Sequence, residues 1–254
     1  GAALQDWGNI RLARQSYRRA LKLKPDFDLP QLNLAQLHEN LGDLDTARRY
    51  YQQALSTLPE DAPNHAKLHL LLETLRRKQA DWSDYPARMD ALRTAIERHL
   101  ERDHPETPPL LSALAFPLSP AQFRALAEQQ ARQQAKLAAA LAPPFEHSRE
   151  PEPARLRIGY LSPDFRCHAV GTLVAGLFHY HQRPAFEVFA YSLTPVDDAW
   201  TAQVRQGVDH FLDVSQQPAL AIAQRIQADG IHILVDLAGY TTHSRPLTLA
   251  LRPA

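Results

Sequence analysis

The sequence predicts an α-helical repeat region followed by a parallel α/β sheet. Two observations carry this prediction: identical residues recur at a fixed spacing near the start of the chain, and apolar strands alternate with helices after residue 155. The composition agrees, because 44% apolar and 22% charged residues in a chain of 254 are typical of one large or two ordinary globular domains.

The N-terminal repeat appears when the chain is shifted by 34 residues, because six of the identical pairs that this shift superimposes form a recognisable pattern. These pairs are Gly8 and Gly42, Ala13 and Ala47, Tyr17 and Tyr51, Ala20 and Ala54, Leu21 and Leu55, and Pro25 and Pro59. The glycine permits a tight turn, the alanines permit close helix packing, the tyrosine fills the gap between them, and the proline ends the helix. This is the tetratricopeptide signature, so we predict an α-solenoid whose complete repeat has helices at 29–41 and 44–58. The leading helix of the first repeat is expected before Gly1.

A third helical pair is predicted at 65–79 and 85–102, although Arg76 stands where the repeat expects glycine. Solenoids commonly end in such an atypical capping repeat. The proline-rich stretch that follows is predicted to be an ordered crossing loop, because it carries Leu110, Leu111, Leu114 and Phe116. Ser119 is predicted to cap a helix at 120–141. The predicted domains are therefore repeat and capping helices at 1–103, a helical connector at 104–154, and a Rossmann-like domain at 155–254.

The C-terminal part alternates between strand and helix patterns. Strands are predicted at 157–161, 186–193, 210–214 and 231–237, and helices at 171–181, 197–208 and 218–228. Mostly apolar strands separated by helices indicate a parallel sheet that is covered on both faces. Ligands of such sheets bind beyond the carboxyl ends of the strands, which directs attention to the loops after the first and last strands.

These two loops, at 162–172 and 236–243, hold the candidate site residues. They are Asp164, His168 and Thr172 in the first loop, and Asp236, Gly239, Tyr240 and Thr241 in the second. His168 could act as a general base or as a hydrogen-bond donor to a phosphate, or it could be an ordinary surface histidine. Asp236 could orient a sugar hydroxyl or an acceptor, or it could cap its own loop by accepting backbone N–H groups; position alone favours the cap.

Charge and cysteine content bear on the expected partner and location, although a local basic groove remains possible. Lys plus Arg equals Asp plus Glu, at 28 each, which gives no reason to expect nucleic acid or an anionic membrane as the partner. The single cysteine, Cys167, excludes an intrachain disulfide and fits a reducing cytosol. Neither a membrane-spanning run nor a signal peptide is evident, so a cytoplasmic location is expected.

Several segments resemble the opening of the catalytic domain of the O-GlcNAc transferase family. They are 156–165 with His168, 186–191, 210–215, 229–237, Gly239-Tyr240-Thr241 and 251–254. The resemblance implies the N-terminal lobe of a two-lobed GT-B glycosyltransferase. It also implies inverting, metal-independent transfer of N-acetylglucosamine from UDP-GlcNAc to Ser or Thr of proteins, with the acceptor selected along the repeats. His168 matches the family's active-site histidine, and residues 239–241 match a segment that lines the cleft.

Two departures from the family keep other functions open. Ala169 and Thr172 stand where animal members have the proline and second histidine of a His-Pro-x-x-His pattern. The Asp236-Leu237-x-Gly239 pattern is closer to bacterial and plant members, among them a fucose-transferring branch. A transferase that uses GDP-fucose or UDP-glucose, or a non-catalytic repeat scaffold, therefore remains an alternative. Because the family continues into a second lobe with most of the UDP contacts, this chain alone is expected to be inactive.

Motifs that could bind a metal are weak, and neither a metal nor a cofactor is predicted. Asp43-Leu44-Asp45 matches the metal-binding DxD of many glycosyltransferases, but it lies at a repeat turn and is predicted to cap a helix. His65 and His69 share a helix face without an evident third ligand, so a packing or solvated role is predicted. Cys167 beside His168 resembles a nucleophile–base pair, but adjacent loop residues normally point apart.

Overall fold

The computed structural model describes residues 9–102, 104, 107–147 and 154–254. The chain divides into two compact units, residues 1–130 and 131–254, here called the helical unit and the sheet unit. The division falls inside the segment predicted as a connector. Gly8 and the leading helix expected before Gly1 lie outside the described residues. Across the described ranges, none of the helices combines the length and the apolar character needed to cross a bilayer.

The helical unit contains the predicted helical pairs. Its helices are α1 (Ile10–Leu23), α2 (Asp28–Asn40), α3 (Leu44–Thr57), α4 (His65–Lys78), α5 (Tyr85–Leu100), the short α6 (Leu110–Ala113), and α7 (Pro120–Leu141), which continues into the sheet unit. The predicted helices are confirmed with ends that differ by one or two residues, a difference that fraying and capping commonly produce. The short α6 was not predicted and lies within the crossing stretch.

The repeat residues pack as the spacing predicts. Ala47, Tyr51 and Ala54 have no exposed surface, and Ala13 is equally buried. The Tyr51 hydroxyl donates a hydrogen bond to Glu39 Oε2 at 3.0 Å, which satisfies the one polar atom of this buried side chain. The small alanines therefore allow close contact between helices, and the tyrosine fills the remaining space.

Two predicted helix caps are confirmed by their hydrogen bonds. Asp43 Oδ1 accepts the backbone N–H of Thr46 at 3.2 Å, so the first aspartate of the DxD sequence caps α3. Ser119 Oγ accepts the N–H of Gln122 at 3.2 Å, and Gln122 Oε1 accepts the N–H of Ser119 at 2.8 Å. This reciprocal pair is a capping box, and it fixes the start of α7.

The turn inside the third helical pair lies four residues later than the repeat spacing predicts. Gly42, at φ +79°, follows α2, and the Asp43 N–H bonds the His38 carbonyl at 2.9 Å. Ala80, at φ +53°, follows α4, and the Asp81 N–H bonds the Arg76 carbonyl at 2.9 Å. The 34-residue register therefore fails in the third pair, as Arg76 indicated, because the connection from α3 to α4 is longer than that from α1 to α2.

Two of the four large side chains expected to order the proline-rich crossing stretch are buried. Leu110 and Phe116 are buried against α4, α5 and α7. Leu111 and Leu114 are instead 52% and 63% exposed. The Arg77 guanidinium lies 5.5 Å from the centre of the Phe116 ring, which adds a cation–π contact to this anchor.

The sheet unit is a four-stranded parallel sheet in the order β3-β2-β1-β4, which confirms the predicted fold of this region. Its elements are β1 (Leu156–Ser162), α8 (Ala169–Val174), a 3-10 turn (Leu177–Tyr180), β2 (Phe186–Ser192), α9 (Ala199–Gly207), β3 (His210–Asp213), α10 (Ala219–Ala228), β4 (Ile233–Asp236) and α11 (Pro246–Ala250). The predicted last strand is shortened at both ends, and α11 was not predicted.

The prediction of a single helix at 171–181 was wrong, because α8 ends at Val174 and the 3-10 turn follows it. The tighter turn directs Phe178 into the core, where its ring centre lies 5.1 Å from that of Tyr160 and 6.0 Å from that of Phe165. Gly207 makes room for this contact, since a Cβ there would lie 3.0 Å from the Phe178 Cβ. Tertiary packing of one phenylalanine therefore overrides the local helical pattern.

Two histidines of the helical unit, His65 and His69, lie side by side on α4, one buried and the other half-buried. His65 is buried, and its ring centre lies 5.8 Å from that of His69. Burial, together with the charges of His65 and Arg76, lowers the pKa of His69 to about 4. Burial also lowers the pKa of His65. These surroundings agree with the packing role predicted for the pair.

We expect Gly42→Ala to destabilise the helical unit by about 1 kcal/mol, because alanine is disfavoured in the left-handed region that this turn requires. Ala80→Gly should stabilise it by about 0.5–1 kcal/mol for the same reason. Urea unfolding followed by far-ultraviolet circular dichroism measures both. Shifts of the same sign for the two variants would contradict the assignment of equivalent turns.

Mild acid is expected to destabilise the helical unit. The pKa of His69 is lower when folded, at about 4, than the ordinary 6.5, so protons bind the unfolded chain preferentially. This contribution to stability is complete above pH 6.5 and is lost as the pH falls towards 4. Urea midpoints at pH 7 and about pH 5 measure the loss. His69→Gln should lose less stability on acidification than the parent protein, and an equal loss would remove His69 as the cause.

Candidate active site

The strand order reverses next to the central strand β1. The chain moves from β1 to β2 and β3 on one side, and then returns to place β4 on the other side of β1. Leu161 pairs with Asp236, and the Leu237 N–H bonds the Leu161 carbonyl at 3.0 Å. The loops after β1 and β4 therefore leave the sheet side by side, at the kind of reversal where open α/β sheets bind their ligands.

The loop after β1 begins with a buried polar anchor. Ser162 is fully buried, and its Oγ accepts the N–H of Asp164 at 3.0 Å. Asp164 is only 6% exposed, and its Oδ1 pairs with the Arg166 guanidinium at 3.2 Å. Thr194, which follows β2, donates its hydroxyl to the Pro163 carbonyl at 2.7 Å. The carboxylate of Asp164, predicted to bind substrate, is thus directed mainly towards its own loop.

His168 is the N-cap residue of α8. Its Nδ1 accepts the N–H of Val170 at 3.2 Å, and its side chain is 40% exposed. A ring nitrogen that accepts an N–H carries no proton, so the proton of the neutral ring is on Nε2. Asp164 Oδ2 lies 3.6 Å from the same Nδ1, which is too long for a hydrogen bond. In this geometry His168 offers Nε2–H as a donor.

Thr172 and Gly171 lie in the first turns of α8 directly behind His168. Thr172 donates its hydroxyl to the His168 carbonyl at 3.1 Å, so this predicted site residue also supports the helix start. A Cβ on Gly171 would lie 2.1 Å from the Arg166 carbonyl oxygen and 2.8 Å from that of Asp164. Two loop carbonyls therefore occupy the space that any other residue would need for its side chain.

Asp198 holds the same loop from the opposite side and was not predicted. Its Oδ2 accepts the N–H of Cys167 at 2.7 Å, while its Oδ1 accepts the N–H groups of Trp200 and Thr201 at the start of α9. These bonds, led by the one from Cys167, hold the pKa of Asp198 below its usual value. The hydroxyl of Thr201 donates to the Phe165 carbonyl at 2.7 Å. A capping box at 198–201 was the signal in the sequence that could have identified this anchor.

The loop after β4 is a tight turn built on Asp236. Its two carboxylate oxygens accept the N–H groups of Ala238 at 3.0 Å and Gly239 at 2.9 Å, which is the capping role considered for it. Gly239 has φ +55°, and Thr241 donates its hydroxyl to the Ala238 carbonyl at 2.9 Å. Tyr240 is 42% exposed. Of the predicted residues in this loop, Tyr240 presents the largest side chain to solvent.

The two loops form no metal cluster, and the cavity of the sheet unit described next lies away from them. Among the residues that the structure describes, no group of three or more His, Cys, Asp or Glu could hold a metal ion. A cavity of about 980 Å³ lies at the amino ends of the strands, where Arg157, Glu187 and His232 line it. None of the predicted site residues lines that cavity. The candidate site is therefore the open surface formed by the two loops.

Comparison with protein families gives two matches. Residues 79–254 match the profile of glycosyl transferase family 41. Residues 6–75 match a tetratricopeptide repeat profile. The second match coincides with the repeats described above.

Two curated relatives align over 68% of this chain. The probable UDP-N-acetylglucosamine–peptide N-acetylglucosaminyltransferase SEC of Arabidopsis thaliana is 33% identical over 181 residues, and the Caenorhabditis elegans UDP-N-acetylglucosamine–peptide N-acetylglucosaminyltransferase is 34% identical over 183 residues. The aligned regions span only 18% and 16% of those proteins. The chain therefore covers less than a fifth of the curated relatives it matches.

A solved structure of a mutant Thermobaculum terrenum O-GlcNAc transferase matches the whole chain. The TM-score is 0.65 at 26% identity, and the match covers 100% of this chain and 47% of the solved one. Together with the parallel sheet, this match confirms the prediction of repeat helices followed by the N-terminal lobe of a GT-B fold.

We expect Gly171→Ala to displace the loop that carries His168, because its Cβ would collide with two backbone carbonyls. The expected loss of stability is about 1–3 kcal/mol, the usual cost of overpacking. Thermal unfolding and the amide NMR signals of His168 and Thr172 report the change. Gly176→Ala is the matched control, since a Cβ at Gly176 meets no atom within 4 Å. Equal effects of both substitutions would contradict this account of the loop.

Proposed function

Because the chain belongs to glycosyltransferase family 41, we propose that it is the repeat region and first catalytic lobe of a protein O-GlcNAc transferase. The proposed reaction is inverting, metal-independent transfer of N-acetylglucosamine from UDP-GlcNAc to Ser or Thr hydroxyls. The names of the relatives support this donor, since both the plant and the nematode protein are named for UDP-N-acetylglucosamine and peptide.

The observation that carries the proposal is the pair of polar loops at the strand-order reversal. His168 and Tyr240 lie partly exposed at this reversal, in two loops held by buried and half-buried hydrogen bonds, and the bond by which His168 caps α8 uses its Nδ1. Preorganised groups of this kind stabilise charge that develops in a transition state. A repeat scaffold without catalytic function would not require them.

For His168 we propose the role of hydrogen-bond donor at the reacting centre. Nδ1 is occupied by the N–H of Val170, which leaves the Nε2 proton for a phosphate or sugar oxygen. A neutral base would need its proton on Nδ1 and a free Nε2 lone pair. The bond to Val170 at 3.2 Å and the distance of 3.6 Å to Asp164 favour the donor.

We further propose the partners and the location of the protein. The tetratricopeptide surface would select the protein acceptor, and a second lobe would supply most UDP contacts. We propose that no metal or other cofactor takes part, and that the protein acts in the cytoplasm. Asp43 of the DxD sequence caps α3 and bonds His38, so this motif gives no argument for a metal.

We expect His168→Ala, assayed in a protein that includes the proposed second lobe, to reduce transfer by about 100-fold or more. This is the range for loss of one catalytic group. His168→Gln should retain more activity than the alanine variant if Nε2–H is a donor, because the glutamine amide can also donate. Transfer of labelled sugar to a protein acceptor measures both. Activity equal to the parent protein in His168→Ala would remove His168 from the site.

The controls separate the parts of the proposal. His179→Ala, which changes an exposed histidine of the same unit, should leave turnover unchanged. Parallel assays with UDP-GlcNAc, UDP-glucose and GDP-fucose identify the donor, and preference for another sugar nucleotide would overturn the UDP-GlcNAc assignment. Loss of turnover after treatment with EDTA would overturn metal independence. Absence of transfer with every donor would favour the scaffold.

A further inference from the structure

One exposed face of α1 carries positive charge without compensating acids. Arg11, Arg18, Arg19 and Lys22 are exposed, and the 14 residues of α1 include no Asp or Glu. Within the part of the chain that the structure describes, none of these four side chains forms an ion pair. We define these four residues as the basic face of α1.

The repeat fold does not require this charge. The corresponding residues of the next repeat, 34 positions later, are Asp45, Gln52, Gln53 and Ser56. All four of these are exposed on α3, although α3 is packed against both α2 and α4. The same positions on α1 therefore stay open to solvent when a helical pair packs on either side, and neutral or acidic residues are compatible with the fold there.

Arg14 is excluded from the basic face because its equivalent has a structural role. Its counterpart in the next repeat is Arg48, which is half-buried and pairs with Asp81 at 3.0 Å. That position is basic in both repeats, in keeping with a contact between helices. The four residues of the basic face differ, since only the first repeat has cations there.

The spacing of the basic face suits an extended chain. Arg11, Arg18 and Lys22 follow one another at intervals of seven and four residues, so they lie in one row along the helix. With a rise of about 1.5 Å per residue, the row is about 16 Å long. An extended peptide covers that length with about five residues. Carboxylates on alternate residues of such a peptide point to one side and can meet the row.

We propose that the basic face of α1 binds an acidic segment of a partner protein. Charge complementarity carries this assignment, and it concerns binding alone, so it does not depend on glycosyl transfer. A single-stranded nucleic acid fits less well, because the aromatic ring of α1, Tyr17, is buried and cannot stack on bases. Multiple exposed ion pairs make such binding weak and dependent on salt.

The test measures binding of labelled peptides to the full chain by fluorescence anisotropy. The probe is a decapeptide of alternating Glu and Ser, and the comparison is the same peptide with Gln in place of Glu. The variant Arg18→Gln/Arg19→Gln/Lys22→Ser introduces the residues found in the next repeat, so it should fold normally. It should weaken binding of the acidic peptide about tenfold, as expected for loss of several exposed pairs.

A matched variant removes the same charge from another helix. Arg124→Gln/Arg132→Gln/Lys136→Gln changes two arginines and one lysine of α7 and should leave binding unchanged. Equal weakening by both variants would overturn the proposal in favour of general attraction between charges. Absence of peptide binding, or binding of a single-stranded oligothymidylate in preference to the peptide, would also overturn it. Circular dichroism confirms that each variant retains its helices.

Discussion

The path of the loop after β1 depends on residue 171 being a glycine, which has no side chain. The carbonyl groups of Asp164 and Arg166 turn into the space where a Cβ would stand. Because the loop folds back onto the start of α8, His168 becomes the N-cap of that helix. Asp198 fixes the same loop through the N–H of Cys167. Backbone packing at a glycine and one carboxylate therefore determine where the histidine lies.

Features that depend on local chemistry were predicted well from the sequence. The repeat spacing identified the helices of the solenoid, and Asp43 and Ser119 were recognised as caps, because each signal lies within a few residues of its effect. Features that depend on distant contacts were not. The break after α8 follows from packing of Phe178 on Tyr160 and Phe165, and the local pattern of residues 171–181 contains no sign of it.

The position of the candidate site followed from topology, but its internal contacts did not. The rule for parallel sheets selects the loops after β1 and β4 once the strands are known. Which groups face a substrate depends on hydrogen bonds that connect separate loops, such as that from Thr194 to Pro163. Those contacts place the carboxylates of Asp164 and Asp236 towards the protein, whereas the imidazole of His168 and the ring of Tyr240 remain partly exposed.

The folding role of His168 restricts its chemistry. The same Nδ1 that caps α8 would have to carry a proton if the neutral ring were to accept one at Nε2. In the base role Nδ1 would carry a proton and could no longer accept the N–H of Val170. That N–H would then lose its hydrogen-bond partner at the start of α8. Asp164 could accept the new Nδ1 proton only after closing the present distance of 3.6 Å. Donation from Nε2 requires neither change, so the local structure and the donor role are satisfied together.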